Sequence, residues 1–325
     1  MAKAAAIEFT GTDLLEHPAV QLWNQLQPPR IEPEAVQILK QKNKSAIYRI
    51  VGVGPERSAV IAKRCLAETA QVEQTIYEDV LPRLPISGLR YYGCVKDRDS
   101  RFLWLFLEDA GPELYSLSVP EHGALASRWL GLMHTAGQRT DGATGLPDRG
   151  PRHYLEHLRW ARDTIQCNLG NPALTEEGVA TLRCINTQCN FVESIWPQLE
   201  RFCNEIPPTF VHGDFSEKNL RVRRTPDGLI LLPFDWETAG WGPPVADLVK
   251  CPELLLYRTV VGAQWPALEL ADLERLKQVG IVFRSLAGLQ WESLNLAFQS
   301  AVHSVPSLVS FQTRLANALR ALDLV

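Results

Sequence analysis

This sequence has no long apolar run and no cysteine pattern typical of metal binding or of a disulfide framework. Its strongest apolar run, Phe102 to Leu107, has six residues, against roughly 18 for a membrane-spanning helix. The residues before Glu8 lack the apolar core of a signal peptide. The seven cysteines are odd in number and none forms a C-x-x-C pair. We therefore expect reduced thiols, a cytoplasmic location and no membrane partner.

The sequence also lacks an excess of basic residues and the G-x-S-x-G motif. With 33 Lys and Arg against 37 Asp and Glu, its net charge is −4, which argues against a nucleic-acid partner. The missing motif excludes the usual α/β-hydrolase signature. A length of 325 residues with 46% hydrophobic and 22% charged residues is typical of a globular protein with two domains or lobes. Nothing in the sequence indicates an oligomeric state.

The hydrophobic periodicity changes near residue 111. Before that point, short apolar runs bounded by turn residues predict five strands: Ala35–Lys40, Ala46–Val53, Ser58–Cys65, Gly88–Val95 and Phe102–Glu108. One helix, about Ala67 to Leu81, interrupts them and ends before prolines. The later periodicity is mostly helical. We predict an α+β protein with an N-terminal lobe over 1–110, a connector at about 106–112 and a helical lobe over 113–325.

One β-hairpin interrupts the helical part and brings polar residues together. Thr225-Pro226-Asp227-Gly228 has the composition of a turn between two apolar strands. If residue 224 pairs with 229, residue 234 faces 219, and Asp235 then lies beside Asn219. Asp214 is a few residues upstream, on the entering loop. The hairpin therefore predicts an oxygen-rich cluster.

This cluster has the donor chemistry of a phosphoryl-transfer site. Carboxylate and amide oxygens, such as those of Asn219 and Asp235, suit Mg²⁺, which protein carboxylates and substrate phosphates typically hold together. A further aspartate, Asp214, is then available to orient or deprotonate a hydroxyl nucleophile.

The N-terminal part supplies a candidate phosphate-binding lysine. Val60-Ile61-Ala62-Lys63 is an apolar strand that ends in a lysine, like the strand whose lysine binds ATP phosphates in kinases. On the next helix, at about 100° per residue, Glu73 falls in the middle of the apolar face. A carboxylate on a buried face is costly unless it is paired. We therefore predict a Lys63–Glu73 ion pair.

These motifs together resemble a known enzyme family. The stretch from His212-Gly213-Asp214 to Asn219, followed by Asp235-Trp236-Glu237, 239–243 and Asp247-Leu248, is similar to the aminoglycoside phosphotransferase and choline kinase-like family. The resemblance implies a bilobal, protein-kinase-like α+β fold. Its N-terminal lobe would bind the nucleotide, and its helical lobe would hold the catalytic loop and the acceptor.

The resemblance also implies roles for individual residues. Asp214 would be the catalytic base, and Asn219 and Asp235 would bind Mg²⁺. The implied ATP-binding residues are Lys63, Glu73, Ser45, Leu107, Glu108 and Ala110, with Ser45 in the phosphate-covering turn and the last three in the adenine-contacting connector. That turn has no glycine, unlike the loop of protein kinases, and the short interval between Asp235 and Pro243 leaves no room for an activation loop.

We therefore predict an ATP- and Mg²⁺-dependent small-molecule kinase. It would transfer the γ-phosphate to a hydroxyl of an antibiotic, an amino sugar, a sugar or an amino alcohol. Two alternatives are a nucleotide-binding pseudokinase with a regulatory role and a metal-dependent phosphohydrolase. Of the other polar residues, we interpret His134 as a hydrogen-bonded packing residue. His153 and His157, spaced i, i+4 with no third ligand evident, are interpreted as surface residues.

Overall fold

The computed structural model describes residues 7–9, 12–137 and 145–324 and shows an α+β chain. It divides into two compact units. The first comprises Met1–Leu125, Gly142–Leu146 and Ser216–Thr238, and the second comprises the remainder. The hairpin predicted within the helical region thus groups with the N-terminal strands. The lobe boundary near residue 110 stays a prediction.

The first unit is built on a six-stranded antiparallel sheet. Its strand order is β1-β2-β3-β4-β6-β5. The bounds are Ile7–Phe9 (β1), Ala35–Lys42 (β2), Ser45–Val51 (β3), Val60–Leu66 (β4), Tyr91–Lys96 (β5) and Phe102–Glu108 (β6). All five predicted strands are present, with ends shifted by at most three residues. The short β1 and the helix α1 (Pro18–Leu26) were not predicted.

Two helical segments pack against this sheet. Trp23 of α1 lies in an apolar core with Ile50, Val60 and Phe106. Directly after β4 in the chain, helix α2 covers Ala67–Thr75 and continues as a π-helical segment, Ile76–Val80. A proline-containing turn then ends it, as predicted.

The predicted hairpin has the predicted register. Strands β8 (Leu220–Thr225) and β9 (Gly228–Pro233) pair antiparallel, with Arg224 opposite Leu229. Beyond the last strand pair, the backbone N–H of Phe234 donates to the carbonyl of Asn219 at 3.0 Å. Because the turn sets the register, it determines that the chain leaves β9 directly opposite Asn219.

The second unit is mainly helical. The helices after the connector are α3 (Pro120–Gly137), α4 (Pro151–Asn168), α5 (Glu176–Ser194), α6 (Trp196–Asn204), α7 (Val245–Leu248), α8 (Leu254–Val261), α9 (Leu270–Ser293) and α10 (Val305–Ala321). Sequence analysis missed one strand pair, β7 (Thr209–Val211) with β10 (Gly240–Gly242). Each strand has three residues, too few for a period-two pattern to appear.

Two further sequence expectations concern cysteines and membranes. All seven cysteines are free thiols in this structure. Among the helices in the described ranges, none is both long enough and apolar enough to cross a membrane.

Candidate active site

The predicted ion pair between Lys63 and Glu73 is present, and it has a third member. Lys63 Nζ lies 2.5 Å from Glu73 Oε1 and 2.5 Å from Asp235 Oδ1. Glu73 is fully buried, and the Lys63 side chain is 10% exposed. One ammonium group therefore holds two carboxylates, one from α2 and one from the segment after β9.

The charges in this cluster depend on one another. Burial raises the pKa of Glu73 to about 6, although Lys63 opposes this shift. Burial would lower the pKa of Lys63, but Glu73 and Asp235 raise it well above its ordinary value. Lys63 is therefore positively charged near neutral pH, and it supplies the opposite charge that a buried carboxylate requires.

Asp235 has a backbone conformation that few residues adopt. Its φ is +68°, in the left-handed region that Asp and Asn tolerate best among residues with a side chain. Ligand oxygens of Asp235, Glu73 and Glu237 lie within 4.8 Å of one another. Sequence analysis did not assign Glu237, although its place two residues after Asp235 was a visible signal. Asn219 is 4% exposed at the end of a 3₁₀ turn.

A cavity of about 290 Å³ opens in the first unit beside this cluster. Five of the six residues predicted to bind nucleotide line it: Lys63, Glu73, Leu107, Glu108 and Ala110. Asp235 and Phe234 also line it. Its volume lies just below the usual range for small-ligand pockets, about 300–1,000 Å³.

Two of the residues predicted to bind nucleotide, Ser45 and Glu108, make structural contacts within the first unit. Ser45 begins β3, where it pairs with Lys42 and Cys65, and it is not among the residues that line the cavity. The Glu108 carboxylate accepts a hydrogen bond from Arg223 Nη1 of β8 at 2.5 Å. Glu108 therefore ties the connector to the hairpin.

The His212-Gly213-Asp214 loop in the second unit is held by a buried carboxylate. Gly213 has a φ of +78°, which a glycine adopts without steric cost. Asp247 accepts hydrogen bonds from the backbone N–H groups of His212 and Gly213, each at 2.8 Å. Burial would raise the pKa of Asp247, but its hydrogen bonds with His134 and the His212 amide lower it. His134 is fully buried and also contacts Tyr257, which confirms its predicted packing role.

Comparison with known proteins identifies the family. Residues 51–289 match the family model described as the phosphotransferase enzyme family, APH. This chain belongs to that family. It is accordingly a small-molecule kinase, as predicted. No curated protein sequence matches this one with statistical significance.

Solved structures of similar fold include other phosphotransferases. Choline kinase from Cryptosporidium parvum Iowa II has a TM-score of 0.63 at 11% identity, covering 93% of this chain and 95% of that chain. The GDP and kanamycin complex of APH(2")-IIia has a TM-score of 0.62 at 14% identity, covering 93% and 99%. Spectinomycin phosphotransferase, APH(9)-Ia, with ADP and spectinomycin, has 0.58 at 10% identity, covering 94% and 98%. These likenesses confirm the predicted protein-kinase-like fold.

One close partner of Asp214 in this phosphotransferase was missed by sequence analysis. Arg284 Nη2 of α9 lies 2.5 Å from Asp214 Oδ1, and Arg284 Nη1 donates to the Gly213 carbonyl at 2.8 Å. Arg284 interrupts an apolar stretch of its helix, between Phe283 and Leu286. The same signal, a charge on an apolar helical face, drew attention to Glu73.

Proposed function

We propose that this phosphotransferase moves the γ-phosphate of ATP to a hydroxyl of a small molecule, with Mg²⁺ as the cofactor. The observation that carries this proposal is the Lys63 ammonium, held between Glu73 and Asp235 at 2.5 Å on the wall of a cavity. Phosphoryl transfer depends on positioning and on neutralising phosphate charge. A fixed cation next to a metal-binding carboxylate serves both needs.

The cavity of the first unit is the proposed nucleotide site. Leu107 and Ala110 offer apolar surface to a base, and Lys63 offers its charge to the phosphates. Glu73 would act through Lys63, because it is buried and 2.5 Å from the ammonium group. Glu108 keeps the connector in place through Arg223. Ser45 does not line this cavity, so its contact with the phosphates stays a prediction.

Mg²⁺ suits the oxygen donors near Asp235, which lines this cavity. Asp235 and Glu237 offer carboxylate oxygens within 4.8 Å of each other, and Asn219 offers an amide oxygen. An all-oxygen set is the chemistry that Mg²⁺ prefers. When bound, the ion would neutralise phosphate charge. Asn219 and Asp235 are the proposed ligands, and Glu237 is an additional candidate.

Asp214 is the proposed base in the second unit. Asp247 accepts hydrogen bonds from the backbone N–H groups of His212 and Gly213, the two residues before Asp214, and so fixes the backbone that leads into Asp214. A carboxylate held in this way can accept the proton of an acceptor hydroxyl.

We also propose a cytoplasmic location for this protein. All seven cysteines are free thiols, which is typical of proteins in a reducing compartment.

The test compares Asp214→Asn with the wild type in an ADP-release assay against a panel of hydroxylated metabolites and antibiotics. We expect turnover to fall by about 10²-fold or more, with Mg-ATP affinity unchanged in calorimetry. Asp163→Asn is the matched control, because Asp163 is 71% exposed on α4. Near-normal turnover by Asp214→Asn would refute the base assignment. Mg-ATP binding without turnover of any acceptor would instead indicate a pseudokinase, and release of inorganic phosphate alone would indicate a phosphohydrolase.

A further inference from the structure

A guanidinium group of helix α9, that of Arg284, is ion-paired with Asp214. Arg284 contacts both the Asp214 carboxylate and the Gly213 carbonyl, at 2.5 and 2.8 Å. Two contacts from two nitrogens of one planar guanidinium group fix its orientation. The Arg284 side chain is still 24% exposed. A ligand that reaches Asp214 therefore meets a fixed and partly exposed guanidinium group that is ion-paired with the proposed base.

A second arginine, Arg149, lies just before helix α4, which packs against α9. Arg149 donates from Nε to the Ala239 carbonyl at 3.2 Å, and its Nη1 lies 3.2 Å from His153 Nε2. Helices α4 and α9 pack together through Tyr154 and Phe283, whose rings stack with centroids 4.4 Å apart. Burial and the charge of Asp247 raise the pKa of Tyr154, and the charges of Arg284 and Arg149 oppose this rise.

The two histidines of α4 contact each other, and one of them contacts α9. The prediction that His153 and His157 are surface residues is wrong, because both are half-buried. Their Nε2 atoms lie 3.0 Å apart, and His157 Nδ1 lies 2.6 Å from Gln290 Oε1 of α9. Burial lowers the pKa of His153 to about 3. The pKa of His157 is lowered as well, so the pair adds no positive charge near pH 7.

We infer that the acceptor carries an anionic group, a carboxylate or a phosphate, close to the hydroxyl that Asp214 orients. The inference rests on the proposed function. A cationic alcohol would bring a second positive charge next to Arg284. An anionic alcohol would instead form charge-assisted hydrogen bonds with a guanidinium that is already in place. The net charge of the whole chain does not determine this preference, because exposed charges beyond about 10 Å are largely screened.

Matched acceptors test this inference directly. Glycerate, glycerol 3-phosphate, glycerol and 3-amino-1,2-propanediol share a three-carbon skeleton and differ in charge. Gluconate, glucose and glucosamine form a second set. We expect acceptor-dependent ADP release with a kcat/KM at least about tenfold higher for the acids than for their neutral and amine counterparts. The glycerate and glycerol 3-phosphate arms distinguish carboxylate from phosphate recognition.

Variants of Arg284 separate charge recognition from a general structural effect. Arg284→Gln should raise KM for the acids by about tenfold or more and reduce the acid-to-amine ratio of kcat/KM. Arg284→Lys should recover part of that ratio, because lysine restores the positive charge but lacks the planar guanidinium group with its paired N–H donors. Arg275→Gln is the control, since Arg275 lies on the same helix and contacts Glu205 and Asp272 instead.

Each outcome decides the question. A preference for the amines, no phosphorylation of any acid, or an unchanged acid-to-amine ratio in Arg284→Gln would overturn the inference. Failure of the proposed function has a different signature, because the wild type would then neither bind Mg-ATP in calorimetry nor phosphorylate any alcohol of either charge.

Discussion

Replacing Lys63 by methionine should destabilise the first unit more than replacing its partner Glu73 by glutamine. The asymmetry follows from the number of partners. Lys63 is the cation that holds Glu73, whereas Lys63 itself contacts two carboxylates, Glu73 and Asp235. In Glu73→Gln, Asp235 still balances the Lys63 charge. In Lys63→Met, the fully buried Glu73 loses its ammonium partner, with the Asp235 carboxylate still nearby.

The magnitude follows from the protonation of Glu73. A buried carboxylate that has lost its partner can become neutral by binding a proton. From an ordinary pKa of 4.5, this costs about 3.4 kcal/mol at pH 7, at 1.36 kcal/mol per pH unit. We therefore expect Lys63→Met to lower the free energy of unfolding by about 3 kcal/mol, within the range for breaking a buried ion pair. Glu73→Gln should lower it by about 1–2 kcal/mol.

The same reasoning gives a pH dependence with a definite sign. In Lys63→Met the folded-state pKa of Glu73 lies above its unfolded-state value, so the destabilisation is present at pH 7 and disappears as the pH falls toward 4.5. Between these limits the penalty should shrink by up to about 1.4 kcal/mol per pH unit.

Urea denaturation followed by tryptophan fluorescence from pH 5 to pH 8 measures these effects. Lys96→Met is the control, because Lys96 is exposed at the end of β5, and it should change stability by less than about 0.5 kcal/mol. The Lys63→Met/Glu73→Gln double variant should show a coupling energy of at least about 1 kcal/mol. Additive effects, or a Lys63→Met penalty independent of pH, would refute the account of a mutually dependent pair.

Two further predictions concern the metal ligands and the loop anchor. Asp235→Ala should weaken Mg-dependent nucleotide binding more than Asn219→Ala, because only the carboxylate brings charge to the ion; a Mg-ATP titration showing equal or reversed effects would contradict these roles. Asp247→Asn should cost about 1–3 kcal/mol of stability and flatten the acid limb of the stability profile. Because folding lowers the Asp247 pKa below 3.8, its stabilisation is complete above about pH 5 and lost as the pH falls through the folded-state value. If Asp247→Asn loses as much unfolding free energy at low pH as the wild type, Asp247 is not the cause of that loss.

The sequence by itself determined the local parts of the site. Turn composition set the register of β8 and β9, and with it the point where the chain leaves β9, opposite Asn219 at the start of β8 and next to Asp235. Helical periodicity placed Glu73 on a buried face, and burial of a carboxylate required the cation on the preceding strand, ten residues away. Such inferences succeed because neighbouring residues in the chain share one regular backbone geometry.

Only the tertiary structure decided which distant charges meet. Lys63 and Asp235 are 172 residues apart, and Arg284 and Asp214 are 70 residues apart. Periodicity can show that Arg284 interrupts an apolar helical face, but the identity of its partner depends on how α9 packs against the loop that contains Asp214. Long-range partners follow from the path of the whole chain, since a buried charge is satisfied by whichever opposite charge the packed helices and strands bring within hydrogen-bonding distance.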